Sequence, residues 1–299
     1  MVHGTAVRSK YLFLRNSGRK TVSHFSWNCT SVTQYCTSIE FKPVSLFQRS
    51  RRPRPLPRER LVMDMRDTVV YAIGDVHGCY DELRALEEKI LHDALQFRGR
   101  KIIIMLGDYV DRGPNSRRVI EHLMAPAPKD FLRVCLAGNH EVAMLAYLDG
   151  HLSREPWLRV GGRETLFSYG VDPERLLDLY GSSEEVDARI RSAIPAAHVA
   201  FMRTLPVMVC SEKFVFVHAG IKPGIALEAQ DEADLLNIRE EFFEAAHRLD
   251  RWVVHGHTIV DVPTLEGRRL DIDTGAFQSG RLTAVRIVGK YGRMLSSAS

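Results

Sequence analysis

Five short apolar runs in this chain each break at or beside glycine and deliver a metal-binding side chain, and that repetition restricts the fold more than any other feature. They are VVYAIGDVHG (Val69–Gly78), KIIIMLGDYVDRG (Lys101–Gly113), FLRVCLAGNHE (Phe131–Glu141), FVFVHAG (Phe214–Gly220) and WVVHGHT (Trp252–Thr258). Short stretches rich in Val, Ile, Phe and Trp read as buried strands. Open α/β sheets bind ligands outside the carboxyl ends of their strands. These strand ends can therefore set Asp75, His77, Asp108, Asn139, His218 and His257 around one point.

The intervening segments supply the crossovers. Asp81–Leu95 carries Leu83, Leu86, Ile90 and Leu95 at helical spacing behind an acidic first turn, and Ser116–Met124 follows a Pro-Asn-Ser start. Asp75 to Asp108 spans 33 residues and Asp108 to Asn139 spans 31. Each is the length of one β–α–β step, which implies parallel pairing and right-handed crossovers. Further helices are predicted over Glu141–Asp149, Pro173–Tyr180 and Val186–Leu205, the last broken near Pro195. Pro206–Cys210, Lys213–Val217, Val253–Val254, Leu270–Ile272 and Leu282–Val288 read as strands, and Gly161-Gly162 as a turn. Residues 67–299 thus read as one domain with two sheets.

Charge divides the chain differently from length. Residues 1–66 hold 13 Lys/Arg against 3 Asp/Glu, and residues 67–299 hold 28 against 34. The basic character belongs to the extension, and a mildly acidic body gives no electrostatic case for binding nucleic acid. The extension, with RRPRPLPRER (Arg51–Arg60) and no sustained apolar period, reads as disordered or non-native; a transit peptide and a polybasic arm are the other readings. Met63 and Met65 are candidate starts. The five cysteines form no CxxC, so neither a zinc ribbon nor a disulfide framework is expected, and the body reads as a reduced, cytoplasmic protein. Cys135 and Cys210 read as core residues and Cys79 as a helix-packing one. No apolar run reaches the ~18 residues of a membrane-spanning helix.

Each motif alone has an ordinary explanation. A strand-terminal Asp is often a helix N-cap, and a lone His is often a satisfied polar group. Asp111 and Arg112 could pair in a loop, Arg239 could be a solvated helix residue, and His198 and His247 read as surface positions. The ordered set is more informative. Asp75 and His77, two residues apart, can reach one cation, and the oxygens of Asp108 can bridge two. Mixed oxygen and imidazole donors suit Mn²⁺, Fe or Zn²⁺ rather than a thiolate-selected metal.

In this order GDVHG, GDYVDRG, GNHE, HAG and HGHT resemble the calcineurin-like metallophosphoesterases, and among them the PPP-type serine/threonine phosphatases of bacteria and phages. The resemblance spans Val69 to Val288. It implies an α/β, four-layer fold in which helices flank a two-sheet β-sandwich. It also implies two divalent metal ions, Mn²⁺ foremost. Asp75 and His77 would hold the first metal, Asp108 would bridge, and Asn139, His218 and His257 would hold the second. Arg112, Arg239 and Asn139 would bind the phosphate. His140 would protonate the leaving oxygen, with Asp111 orienting it, and His255 would be a neighbour of the site. A carboxylate-bridged metal pair lowers the pKa of a bound water, so direct in-line attack with no phosphoenzyme is expected. The resemblance places a phosphoprotein or phosphopeptide first as substrate, with no segment indicating a regulatory subunit. Symmetrical diadenosine tetraphosphatases share most of these motifs; GNHE and the short stretch between His218 and His257 rank the phosphatase ahead of them.

Overall fold

The computed structural model describes residues 57–298 together with three short strands in the extension, β1 (Arg15–Asn16), β2 (Arg19–Thr21) and β3 (His24–Ser26). Next come β4 (Arg60–Val62), β5 (Thr68–Ile73), α1 (Tyr80–Ala94), β6 (Arg100–Met105), α2 (Ser116–Met124), β7 (Phe131–Cys135) and α3 (Asn139–Leu148). The second half supplies β8 (Met208–Cys210), β9 (Phe214–Val217), β10 (Trp252–His255), β11 (Thr264–Glu266), β12 (Arg269–Asp271), β13 (Thr283–Val288) and β14 (Tyr291–Ser296). One sheet runs β3-β14-β13-β5-β6-β7 and the other β1-β2-β11-β12-β10-β9-β8-β4.

The two sheets face each other, and the apolar runs explain how. Val70, Ala72, Ile102, Ile104, Val285 and Ile287 of one sheet meet Phe214, Phe216, Val254 and Leu270 of the other in a shared core. The alternate residues Tyr71, Ile73, Ile103, Met105, Val215, Val217 and Val253 turn outward and pack with Leu83, Leu86, Ile90 and Val119 on helices. A strand buried on both faces needs apolar residues at successive positions rather than alternation. This is the predicted two-sheet sandwich flanked by helices. β5, β6 and β7 pair in parallel, as do β9, β10 and β12, so both sheets send carboxyl ends toward one edge.

The fold begins ahead of the boundary expected at residue 67. β4 pairs in parallel with β8, and the Arg58 guanidinium donates to Met202 O and Leu205 O at 2.8 and 3.0 Å. An edge strand needs only backbone partners, and Arg60-Leu61-Val62 is too short to show a period. Beyond β1–β3, the readings of residues 1–56 as disordered, non-native or a transit peptide lie outside the described residues. His198 departs from its expected surface position: it is buried, with Nδ1 2.8 Å from the Tyr169 hydroxyl. Among the described residues, no helix is long and apolar enough to cross a membrane.

Candidate metal centre and active site

The backbone leaves the strands in an unusual way. Seven non-glycine residues have left-handed φ among those described, and five of them are His77 (43°), Asp108 (52°), Asp111 (70°), Arg112 (67°) and His257 (66°). Each such residue costs about 1–3 kcal/mol and persists only where surrounding structure enforces it. Glu141, in the first turn of α3, is one such constraint. Its carboxylate accepts N–H bonds from Asp108, Tyr109, Val110 and Gly138 at 2.7–3.2 Å. Gly138 is required where α3 meets Asp108, because a Cβ there would lie 2.1 Å from Asp108 Oδ1.

Asp108 is the centre of the cluster. Its Oδ2 lies 3.4 Å from His218 Nε2, 3.5 Å from His77 Nε2 and 3.8 Å from His140 Nε2. His77 Nδ1 donates to Val110 O and His218 Nδ1 to Leu106 O, at 2.9 and 3.0 Å. These bonds fix the tautomers, so both Nε2 atoms present lone pairs toward Asp108. Asn139 Oδ1 lies 2.9 Å from His218 Nε2 and 3.0 Å from His257 Nδ1. Burial pushes the His77, His218 and His257 pKa values down, which keeps these rings neutral. Burial opposes ionisation of Asp108 as well, while the His140 N–H, donating to its Oδ1 at 3.0 Å, favours it.

Converging lone pairs on neutral imidazoles, an amide oxygen and a carboxylate form a donor set suited to a divalent cation. Two triads share Asp108: His77, Asp108 and His140, and Asp108, His218 and His257, with ligand atoms within 4.8 Å of one another. Asp75 stands outside both triads. Its Oδ2 accepts from the His257 N–H at 3.0 Å, its Oδ1 lies 4.0 Å from His218 Nδ1, and its carboxyl is hydrogen-bonded to that of Asp273. The residues therefore fit the metals that the motifs imply.

His140 sits between Asp108 and Asp111. Its Nδ1 donates to Asp111 Oδ2 at 2.8 Å. Burial alone would lower its pKa; Asp108 and the Asp111 hydrogen bond prevail and raise it. Asp111 also accepts from Trp157 Nε1 at 3.2 Å and Thr165 Oγ1 at 2.7 Å, so it is no loop ion pair with Arg112. Arg112 lies over the Phe277 ring at 5.0 Å, with Nη2 3.2 Å from His140 Nε2. Arg239 is exposed at the rim, where it donates to Thr258 Oγ1 and to His257 O at 3.2 and 3.5 Å. His255 is buried under the His257 turn against Phe242, 3.4 Å from Arg269.

Several supporting residues escaped sequence reasoning. Gly161-Gly162 is more than a turn: Gly161 O accepts the Arg112 N–H at 3.1 Å, and a Cβ on Gly161 would meet Arg112 N at 2.5 Å. Trp157 and Thr165 lie 46 and 54 residues from Asp111, and no local pattern links them to it. Asp273 is a further buried carboxyl beside Asp75, pushed up to about 6, chiefly by burial.

The pattern of the calcineurin-like phosphoesterase family matches residues 68–261, which takes in every motif of this centre. The chain belongs to that family. Among its relatives, the asymmetrical bis(5'-nucleosyl)-tetraphosphatase PrpE of Halalkalibacterium halodurans is 29% identical over 233 residues, covering 72% of this chain and 88% of the relative. The PrpE of Bacillus subtilis is 27% identical over 236 residues, with the same coverage. A crystal structure assigned provisionally as a diadenosine tetraphosphatase shares the fold, with a TM-score of 0.54 at 19% identity over 80% of this chain and 98% of that one. The family membership makes this chain a metallophosphoesterase, and its His/Asp clusters are placed to bind metal.

Proposed function

We propose that this protein hydrolyses bis(5'-nucleosyl) tetraphosphates, such as diadenosine tetraphosphate, in a divalent-metal-dependent reaction. The observation that carries the proposal is the name shared by the two relatives above, whose alignments take in 72% of this chain and 88% of theirs. This reverses the order expected from GNHE and from the spacing of His218 and His257. It also replaces the symmetrical type with the asymmetrical one those relatives are named for.

In this reading Asp75, His77, Asp108, Asn139, His218 and His257 hold two cations, with Mn²⁺, Fe or Zn²⁺ suited to the donors. When bound, such cations activate water and offset phosphoryl charge. Arg112 offers a guanidinium fork to non-bridging oxygens, steadied by Phe277 and the Gly161 carbonyl. Arg239 guards the rim, where the remainder of a long polyphosphate would pass. As phosphate oxygens take the Arg112 donors, His140 Nε2 is freed to carry a proton, with Asp111 holding the ring through Nδ1.

One observation favours a second reading, a phosphomonoesterase acting on phosphoproteins. The Asp111–His140 pair is the device that a basic leaving oxygen needs, whereas a departing nucleotide phosphate is acidic enough to leave unassisted. The test is hydrolysis of diadenosine tetraphosphate by metal-stripped, Mn²⁺-reconstituted protein, with a phosphothreonine peptide alongside. AMP and ATP as products are expected. ADP alone would restore the symmetrical type, and a higher kcat/KM on the peptide would reverse the proposal.

A further inference from the structure

Residues 157–165 brace the loop that carries Asp111 and Arg112. Trp157 Nε1 lies 3.2 Å from each Asp111 oxygen and donates to both. Thr165 Oγ1 donates to Asp111 Oδ1 at 2.7 Å and accepts from the Asp111 N–H at 2.8 Å. Gly161 O accepts the Arg112 N–H at 3.1 Å. Asp111 and Arg112 are consecutive residues at left-handed φ, 70° and 67°. Such conformations persist only where the surroundings enforce them, and this one segment bonds to both.

The two side-chain donors do more than support the backbone. An aspartate carboxylate turns about a broad, roughly two-fold torsion. Thr165 fixes one oxygen, and the indole N–H, equidistant from both, resists rotation of the plane. The His140 ring depends on that plane, because its Nδ1 donates to Asp111 Oδ2 at 2.8 Å. Asp111, Trp157 and Thr165 are all 0% exposed, so bulk water does not substitute for either donor. Trp157 is itself held. Its ring stacks on Tyr147 with centroids 4.9 Å apart, and a Cβ on Gly162 would meet it at 2.6 Å. The Tyr147 hydroxyl donates to Asp187 Oδ1 at 3.0 Å, and Arg154 Nη1 donates to the same oxygen at 2.6 Å.

We propose that Trp157 and Thr165 are positioning residues for proton transfer: together they fix the Asp111 carboxylate plane and so aim His140 Nε2 at the leaving oxygen. As the bond from phosphorus to that oxygen breaks and the phosphoryl group passes to water, the oxygen takes the Nε2 proton. The ring is left neutral, with its Nδ1 proton still on Asp111. The inference rests on the acid role given to His140 in the proposed reading and is independent of which phosphate ester is the natural substrate.

The test is the dependence of kcat on leaving-group basicity, measured in Mn²⁺-reconstituted protein with p-nitrophenyl phosphate and with phenyl phosphate, whose phenol is the weaker acid. Trp157→Phe keeps an aromatic ring and removes the N–H; Thr165→Val keeps the shape and removes the hydroxyl. In each, kcat on phenyl phosphate is expected to fall by about 10–100-fold, a part of what a positioned acid supplies. The fall on p-nitrophenyl phosphate should be smaller, with KM on both unchanged. Thr165→Ser, which restores the hydroxyl, should restore the wild-type ratio of the two rates. Added to His140→Asn, Trp157→Phe should cost nothing further, since residues that act as a unit are not additive. Equal losses on both substrates, or a further loss beside His140→Asn, would make the two residues structural and overturn the proposal. Loss of native circular dichroism in both Trp157→Phe and Thr165→Val would do the same. A His140→Asn enzyme with the wild-type ratio of rates would remove the acid, and this proposal with it, while leaving dinucleotide hydrolysis to its own test.

Discussion

Replacing His140 by Asn separates the acid from the cations. The imidazole has two conceivable jobs. Its Nδ1 is held by Asp111 at 2.8 Å, as a proton donor requires, yet it also forms a triad with His77 and Asp108 that a metal could use. A positioned general acid is worth about 10²–10⁴ in rate, or roughly 3–5 kcal/mol of barrier. That contribution exists only where the leaving oxygen is basic. A phosphotyrosine releases a phenolate of pKa about 10, whereas a nucleotide leaves as a phosphate whose second pKa is about 6. His140→Asn is therefore predicted to lower kcat on an aryl phosphate by about 10²–10⁴ and on diadenosine tetraphosphate by less than about tenfold, with bound metal unchanged by elemental analysis. Equal losses on both substrates with metal retained would refute the acid role and point to phosphoryl binding. Equal losses with metal gone would make His140 a ligand.

Four further outcomes follow from the geometry. Chelation should lower the melting temperature, and readdition of Mn²⁺ should restore it, since ligand at 100 times its Kd stabilises by about 2.7 kcal/mol; an unmoved melting curve would mean that no metal binds the native state. Gly138→Ala should abolish metal binding and activity together, because its Cβ would lie 2.1 Å from Asp108 Oδ1, and retention of bound metal would contradict that crowding. Arg58→Ala should destabilise the fold by about 2–4 kcal/mol in urea titrations, through two lost charge-assisted hydrogen bonds, with kcat unaffected. Burial pushes the Cys79 and Cys135 thiols up to about 12, so both should resist alkylation at pH 8 in the native protein. The folded state keeps these protons, so the effect leaves stability unchanged below the unfolded thiol pKa of about 8.5 and reduces it above that; rapid labelling of either at pH 8 would show that the burial is wrong.

The positions that converge at the site were legible because the constraint on them is local. A strand must be apolar to be buried, and its ligand must follow at once, so both halves of the signal sit within ten residues of one another. The same logic marked Asp273 equally well, but its strand was read without the residue that ends it. Supports acting at long range left no such trace. Trp157 and Thr165 reach Asp111 only after the helices around them have packed, and Arg58 finds Met202 and Leu205 from 144 and 147 residues away. β4 was hidden because an edge strand is defined by backbone pairing, to which side-chain periodicity is blind. The substrate was the least legible property, for a chemical reason. In the proposed reading the cations, Arg112 and His140 address the phosphoryl group, and nothing in those motifs touches what the phosphoryl group is attached to.

The backbone at the site shows why rules of local preference mislead here. A sequence rule would place Gly or Asn at a left-handed φ, yet His77, Asp108, Asp111, Arg112 and His257 all adopt it. Their own preferences oppose these conformations, so the enforcing energy must come from elsewhere. Part comes from Glu141, which gathers four N–H groups around the Asp108 loop, and part from the Asp75 carboxylate, which accepts the His257 N–H. Glu141 is itself held at a pKa of about 7, by burial first and Asp108 next, against the pull of those N–H donors. A cation held by Asp108 would draw charge away from Glu141 and favour the ionised form that accepts all four bonds. In the proposed reading metal binding and loop geometry would be one equilibrium: the conformation that strains the backbone would be the one the ligands need, and each metal bound would stabilise the carboxylates that impose it.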